Sequence, residues 1–175
     1  MKSNELSFLF SIAAGLLLAV STFAQTEAFK DANVEYTFAL PETVWKMTAK
    51  PSPTSPNVEY IYGERQSGHL EIRKMAFKPD ATLSDLISDE DQKLQFGKSG
   101  YVAGKQEDFK GAFGGKVFNY EFVRSGRNMS GRFYFLKTDD KTVYVLRFTG
   151  ERDKLRSIRN QTDSIARTFD LKKDK

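Results

Sequence analysis

The sequence predicts an α+β fold in which an antiparallel β-sheet is sandwiched between helices. Three observations carry that expectation. Residues 116–150 read as three consecutive strands, because β-branched and aromatic residues alternate with period two between turn-forming clusters. Both faces of those strands carry apolar residues, whereas a sheet with one wet face would alternate more cleanly. Two segments, Thr82 to Phe96 and about Asp153 to Thr168, switch to a helical period and can cover the two faces.

The elements follow in order. Val34 to Ala39 is a strand, with Val34, Tyr36 and Phe38 on one side and Glu35 and Thr37 on the other. Trp45 to Thr48 is a second short strand. Ala49 to Asn57 contains Pro51, Pro53 and Pro56, which cannot donate ladder hydrogen bonds, and is expected to be an exposed loop. Val58 to Tyr62 and His69 to Phe77 are strands joined through Gln66-Ser67-Gly68. In the first helix Leu83, Leu86, Ile87 and Leu94 form the apolar stripe. Thr82 and Asp85 form a capping box, and Gly97 suits the left-handed position after the last turn.

Tyr101 to Phe109 and a glycine-rich connection, Gly111 to Gly115, lead into the three long strands. Their turns are Ser125-Gly126-Arg127-Asn128 and Thr138-Asp139-Asp140-Lys141. The closing helix buries Leu155, Ile158, Thr162, Ile165 and Phe169, with Arg152, Arg156, Arg159 and Arg167 opposite.

The N-terminus gives an address. Lys2 precedes an uncharged apolar run from Leu6 to Val20, and Ser21-Thr22-Phe23-Ala24 follows. That is the layout of a secretory signal, with cleavage expected after Ala24. The run falls short of the roughly 20 residues that span a bilayer as a helix; an uncleaved anchor is the alternative. The chain has no cysteine, so neither a lipobox nor a disulfide framework exists. The expected organisation is a signal peptide (1–24), a polar leader (25–33), a single domain (34–171) and a basic tail (172–175). An exported, periplasmic or extracellular protein follows, with no stable membrane span after cleavage. The net charge of +4 permits anionic partners. Export, and the lack of a dense basic stripe, argue against nucleic acid.

No catalytic pattern survives inspection. His69 is the sole histidine and there is no thiol, so no metal site and no cofactor is expected. Ser67 and His69 share a side of a strand, yet no third orienting group and no Gly-x-Ser-x-Gly elbow accompanies them. Lys110 to Lys116 is glycine-rich like a phosphate loop, but Val117 stands where Ser or Thr would hold magnesium, and a strand follows. Asp85, Asp89, Glu90 and Asp91 read as a solvated helix face. Asn128-Met129-Ser130 and Asn160-Gln161-Thr162 match glycosylation acceptors, a pattern common by chance.

The arginines are more informative. Arg124, Arg127 and Arg132 cluster about a hairpin turn, and Arg152, Arg156 and Arg159 share a face of the last helix. Guanidinium groups suit bidentate contact with carboxylates and phosphates. The six are the candidate binding residues, with the hairpin tip and the Pro-rich loop as the expected contact surface.

The order of elements resembles the PsbP-like superfamily, which includes the extrinsic PsbP subunit of photosystem II and a Ran-binding nuclear import factor. Tyr36-Thr37-Phe38-Ala39-Leu40-Pro41 with Trp45, the middle helix, the aromatic hairpin and Ile165-Ala166-Arg167-Thr168-Phe169-Asp170-Leu171 carry the resemblance. It implies an α/β/α sandwich and a non-enzymatic binding or assembly role, with many exported bacterial members of unassigned role. It assigns no functional residue. The expected function is an exported, non-catalytic domain acting on an envelope protein or an anionic polymer. The alternative is a small-ligand carrier or hydrolase with a pocket under the aromatic face of Phe118, Tyr120 and Phe122.

Overall fold

The computed structural model describes residues 27–78 and 80–172. The apolar run and the expected cleavage position after Ala24 lie outside the described residues. In chain order the elements are β1 (Glu27–Lys30), β2 (Tyr36–Leu40), β3 (Trp45–Ala49), β4 (Val58–Tyr62), β5 (His69–Ala76), α1 (Leu83–Gly97), β6 (Val102–Lys110), β7 (Gly114–Arg124), β8 (Arg127–Lys137), β9 (Thr142–Glu151), α2 (Arg152–Ser157), α3 (Arg159–Thr168) and β10 (Asp170–Leu171). β3 to β9 form a seven-stranded antiparallel sheet in the order β3-β4-β5-β9-β8-β7-β6. β1, β2 and β10 form a small second sheet.

Both faces of the large sheet are covered, which explains their shared apolar character. On one face α1 seats Ile87 and Leu94 against Phe118, Tyr120, Phe122, Phe133 and Phe135. On the other, α2, α3 and the small sheet pack Leu155, Ile165, Phe38 and Phe169 against Tyr134, Tyr144 and Phe148. The β7–β8 hairpin closes tightly because Ser125 and Gly126 both take positive φ, 51° and 72°. That is the handedness a two-residue turn needs to match strand twist.

Four local expectations change. The 25–33 leader contains β1, whose Phe29 is buried and stacks on Phe38 at 4.8 Å. The capping box forms, with the Asp85 amide donating to Thr82 Oγ1 at 3.2 Å, but Gly97 remains in the last helical turn. The left-handed glycine is instead Gly100, at φ 57°. The closing helix is broken at Ile158 (φ −102°, ψ 19°), where the Ile158 carbonyl accepts the Gln161 and Thr162 amides that start α3. The break lets Leu155, Ile158 and Ile165 all reach the core.

Glu90, finally, leaves the solvated face of α1. It is only 8% exposed and meets Arg147 of β9 at 3.3 Å, while the Arg147 guanidinium lies 4.6 Å from the Phe133 ring centre. A carboxylate so placed is tolerable because it is paired.

Packing also governs the tyrosines. Burial pushes the hydroxyls of Tyr36, Tyr101, Tyr120, Tyr134 and Tyr144 well above the usual phenol range, and that of Tyr60 up to about 12. Tyr62 is raised chiefly by the hydrogen bond it donates to Glu42 at 2.8 Å. These are all seven tyrosines of the chain. A raised folded-state value stabilises fully below the unfolded pKa of about 10, and that stability is lost as pH rises beyond it. Absorbance at 295 nm is therefore expected to stay flat through about pH 10, then rise together with loss of the near-ultraviolet dichroism. Phenolate formation near pH 10 with tertiary dichroism intact would contradict this packing.

Candidate functional site: an arginine groove beside the edge strand

Strand alternation builds the floor of a groove on the α2 face of the sheet. The registers Asn119↔Arg132, Glu121↔Ser130 and Val102↔Glu121 align these residues across β8, β7 and β6. Arg152, Leu155 and Arg156 of α2, with Arg159 of α3, form the wall. The groove is open to solvent and has a volume of about 490 Å³. Gly104 keeps the β6 end of the floor tight, because a Cβ there would sit 2.3 Å from the Asn119 carbonyl oxygen. The register shift between Ala103 and Gln106 falls at this point.

Arg132 is the fixed member of the set. Its side chain is buried, and it donates from Nε to the Tyr134 hydroxyl at 2.6 Å, from Nη1 to Asn119 Oδ1 at 2.7 Å and from Nη2 to Asp163 Oδ1 at 2.8 Å. Tyr134 also donates to Asp163. Burial alone would raise the Asp163 carboxyl, but these hydroxyl and guanidinium bonds hold it below the usual carboxylate value. A guanidinium has five N–H groups, so Arg132 retains two with no acceptor among the described residues.

The other three arginines are held loosely. Arg152 donates to Glu121 at 3.4 Å, and its buried Nε has no hydrogen-bond acceptor, the nearest carboxylate being Asp153 at 3.7 Å. Arg156 lies 3.8 Å from Asp153. Arg159 lies 3.7 Å from Glu107 and 3.9 Å from Asp163. These separations satisfy charge but leave hydrogen-bonding capacity unused. Exposed pairs of this kind contribute about 0–1 kcal/mol, so an incoming carboxylate or phosphate can displace them readily.

The structure thus regroups the six candidate arginines. Arg132, Arg152, Arg156 and Arg159 line one groove. Arg127, at the first position of β8, is not part of that lining. It pairs with Glu151 at 2.7 Å and lines a smaller neighbouring cavity that shares Arg152. Arg124 stands exposed at the hairpin, with no ion pair among the described residues. The Pro-rich loop does not join the hairpin tip. The registers place Val58 level with Ile72, Leu146 and Tyr134, so residues 50–57 lie at the opposite end of the sheet from Ser125-Gly126.

Sequence reasoning missed Asn119, Val102 and Asp163. Asn119 carried a usable signal, a lone amide between Phe118 and Tyr120 on a strand otherwise aromatic on one side. Asp163 carried none, since its partner is distant in sequence.

Against the expectation that no orienting group accompanies His69, its Nε2 lies 2.8 Å from Glu59 Oε2 on the neighbouring strand, a cross-strand partner; no Ser67–His69 hydrogen bond forms. Gly115 of the glycine-rich connection is needed because a Cβ there would meet the Phe135 carbonyl at 2.2 Å. The proposed pocket under Phe118, Tyr120 and Phe122 is filled: these rings are 2–3% exposed beneath α1.

No family model matches the chain, and no curated protein matches its sequence. Solved structures do. Cyanobacterial PsbP (CyanoP) from Synechocystis sp. PCC 6803 superposes with a TM-score of 0.56 at 16% identity, over 91% of this chain and 99% of that one. The fold is PsbP-like. LpqN, involved in cell envelope biogenesis of Mycobacterium tuberculosis, matches with a TM-score of 0.53 at 12% identity, over 85% of this chain and 91% of its own. PA94 of Pseudomonas aeruginosa, a protein of unknown function, matches with a TM-score of 0.53 at 13% identity, over 86% of this chain and 100% of its own. At such identities the PsbP-like likeness carries the architecture and no residue roles, so the arginine groove stands on its own geometry.

Proposed function

We propose that the chain is an exported, non-catalytic PsbP-like domain that binds an envelope partner through carboxylates or phosphates seated in the arginine groove. The observation that carries this reading is the unused hydrogen-bonding capacity of Arg152, Arg156 and Arg159 above the fixed guanidinium of Arg132. Apolar contact from the exposed Val102 and Ala103 adds adhesion without charge. The run from Leu6 to Val20 supports export. No helix among the described residues is long and apolar enough to cross a membrane. A relative in fold, LpqN, is involved in cell envelope biogenesis, which agrees with an envelope role.

The test places a photo-crosslinking residue at Val102, 60% exposed on the groove rim, in intact cells. A specific partner should be captured, and cell fractionation should find the protein with the envelope or medium. The Arg156→Ala/Arg159→Ala variant should lower capture about tenfold. Its stability should change by less than about 0.5 kcal/mol, as both side chains are more than half exposed. Unaltered capture would reject the groove, and a cytoplasmic protein would reject export.

A further inference from the structure

Resting on the anionic reading of the groove, we infer that its occupant is an extended acidic polypeptide segment that adds as a further strand to the free edge of β6. β6 is the outermost strand of the large sheet, so one side of its backbone pairs with β7 and the other pairs with no described strand. Residues 102–108 are all exposed. Val102, Ala103 and Gly104 of this strand also line the arginine groove, so a free strand edge and the guanidinium groups open onto one space. Strand addition supplies affinity through main-chain hydrogen bonds and specificity through alternate side chains.

Charge is placed to favour this occupant. Edge strands are normally protected by charged side chains. Here Lys105, Glu107 and Asp108 protect the second half of β6, while Val102 to Gly104 carries no charge. The groove lining has four arginines against one carboxylate, Glu121.

The internal contacts show the recognition pattern already in use. Arg152 reaches Glu121 on β7, and Arg159 reaches Glu107 on β6. Each is a helix arginine meeting a strand carboxylate on the same face. A strand added about 4.8 Å beyond β6 continues that series by one step, and its carboxylates recur on the helix side at every second residue. Arg156, whose single carboxylate contact is the largely exposed Asp153, is the least committed of the four groove arginines.

The mature protein would be mixed with a short peptide of alternating Glu and Val, with the same peptide carrying a central Pro, and with polyphosphate. Affinity would be measured by anisotropy, and β6 by amide hydrogen exchange. The alternating peptide should bind and slow exchange of the 102–106 amides about tenfold, and Pro should weaken binding by about the same factor. Arg156→Ala/Arg159→Ala should abolish the effect. Equal binding of the Pro peptide or polyphosphate, arginine-dependent but without β6 protection, would overturn strand addition and leave a plain anion groove. Absence of arginine-dependent binding of any of the three would overturn both.

Discussion

Gly131→Ala is expected to destabilise the protein by about 3 kcal/mol, at the upper end of the cost of overpacking a core. The residue lies opposite Tyr120 in the β7–β8 ladder, and a Cβ at Gly131 would stand 2.1 Å from two atoms of the Tyr120 ring. The ring thus lies directly over the glycine, the device by which an aromatic side chain covers backbone that glycine leaves bare. It has little freedom to yield. Its centroid is 5.0 Å from that of Phe133 at 80°, 6.0 Å from Phe118, 5.7 Å from Phe122 and 5.8 Å from Tyr101.

A methyl group at Gly131 must therefore displace a ring wedged among four others, and α1 with it. For a domain of this size the midpoint temperature should fall by roughly 10 °C. The cause is separable by a double-mutant cycle. Tyr120→Ala alone should cost about 3–5 kcal/mol. In that background Gly131→Ala should cost close to nothing. An equal penalty with and without the ring, measured by urea unfolding, would show that the glycine serves backbone conformation rather than the aromatic contact.

Much of this architecture is legible in the sequence because it depends on periodicity. Alternating Phe133-Tyr134-Phe135-Leu136 is buried on both faces, as two-sided apolar strands require. Thr82 and Asp85 form their capping box from local chemistry alone. What escaped is what periodicity does not encode. β1 has four residues and β10 two, too short to show a pattern, and both exist only through pairing with β2. The pairs Glu90–Arg147 and Arg132–Asp163 join residues far apart in sequence.

The candidate site divides along the same line. The arginines are visible as a set, but their partition is a matter of faces. Arg132 shares the face of Tyr134 and Leu136, which marks it as a buried arginine rather than a member of the tip. The Pro-rich loop could not be placed without knowing which strand ends meet. Only the assembled sheet puts it opposite the hairpin.

Arg132→Ala is expected to lower stability by about 3–4 kcal/mol at pH 7, because it strands a carboxylate that the fold has removed from most solvent. Removing one partner of a buried pair costs about 3–5 kcal/mol, since the remaining charge is left uncompensated. Arg132 and Asp163 side chains are 10% and 18% exposed, so residual hydration places the effect toward the lower part of that range. Tyr134 keeps a hydrogen bond to Asp163, but one neutral donor does not replace a guanidinium.

The pH dependence gives the sign. In the native protein the Asp163 carboxyl is held below its ordinary value, so its contribution is present above the unfolded pKa of about 3.9 and is lost as pH falls through the folded value. In the variant, burial acts without the guanidinium and drives Asp163 toward its neutral form. The stability gap between native protein and variant should thus be full at pH 7, narrow from about pH 5 downward and be smallest near pH 3. Adding Asp163→Asn to Arg132→Met should recover most of the loss at pH 7, as no buried charge then remains. Urea unfolding of the variants across this pH range decides the matter. A gap that is constant with pH would mean that Arg132 stabilises through the contact of its guanidinium with the Tyr134 ring, 5.1 Å from the ring centre, and not by neutralising Asp163.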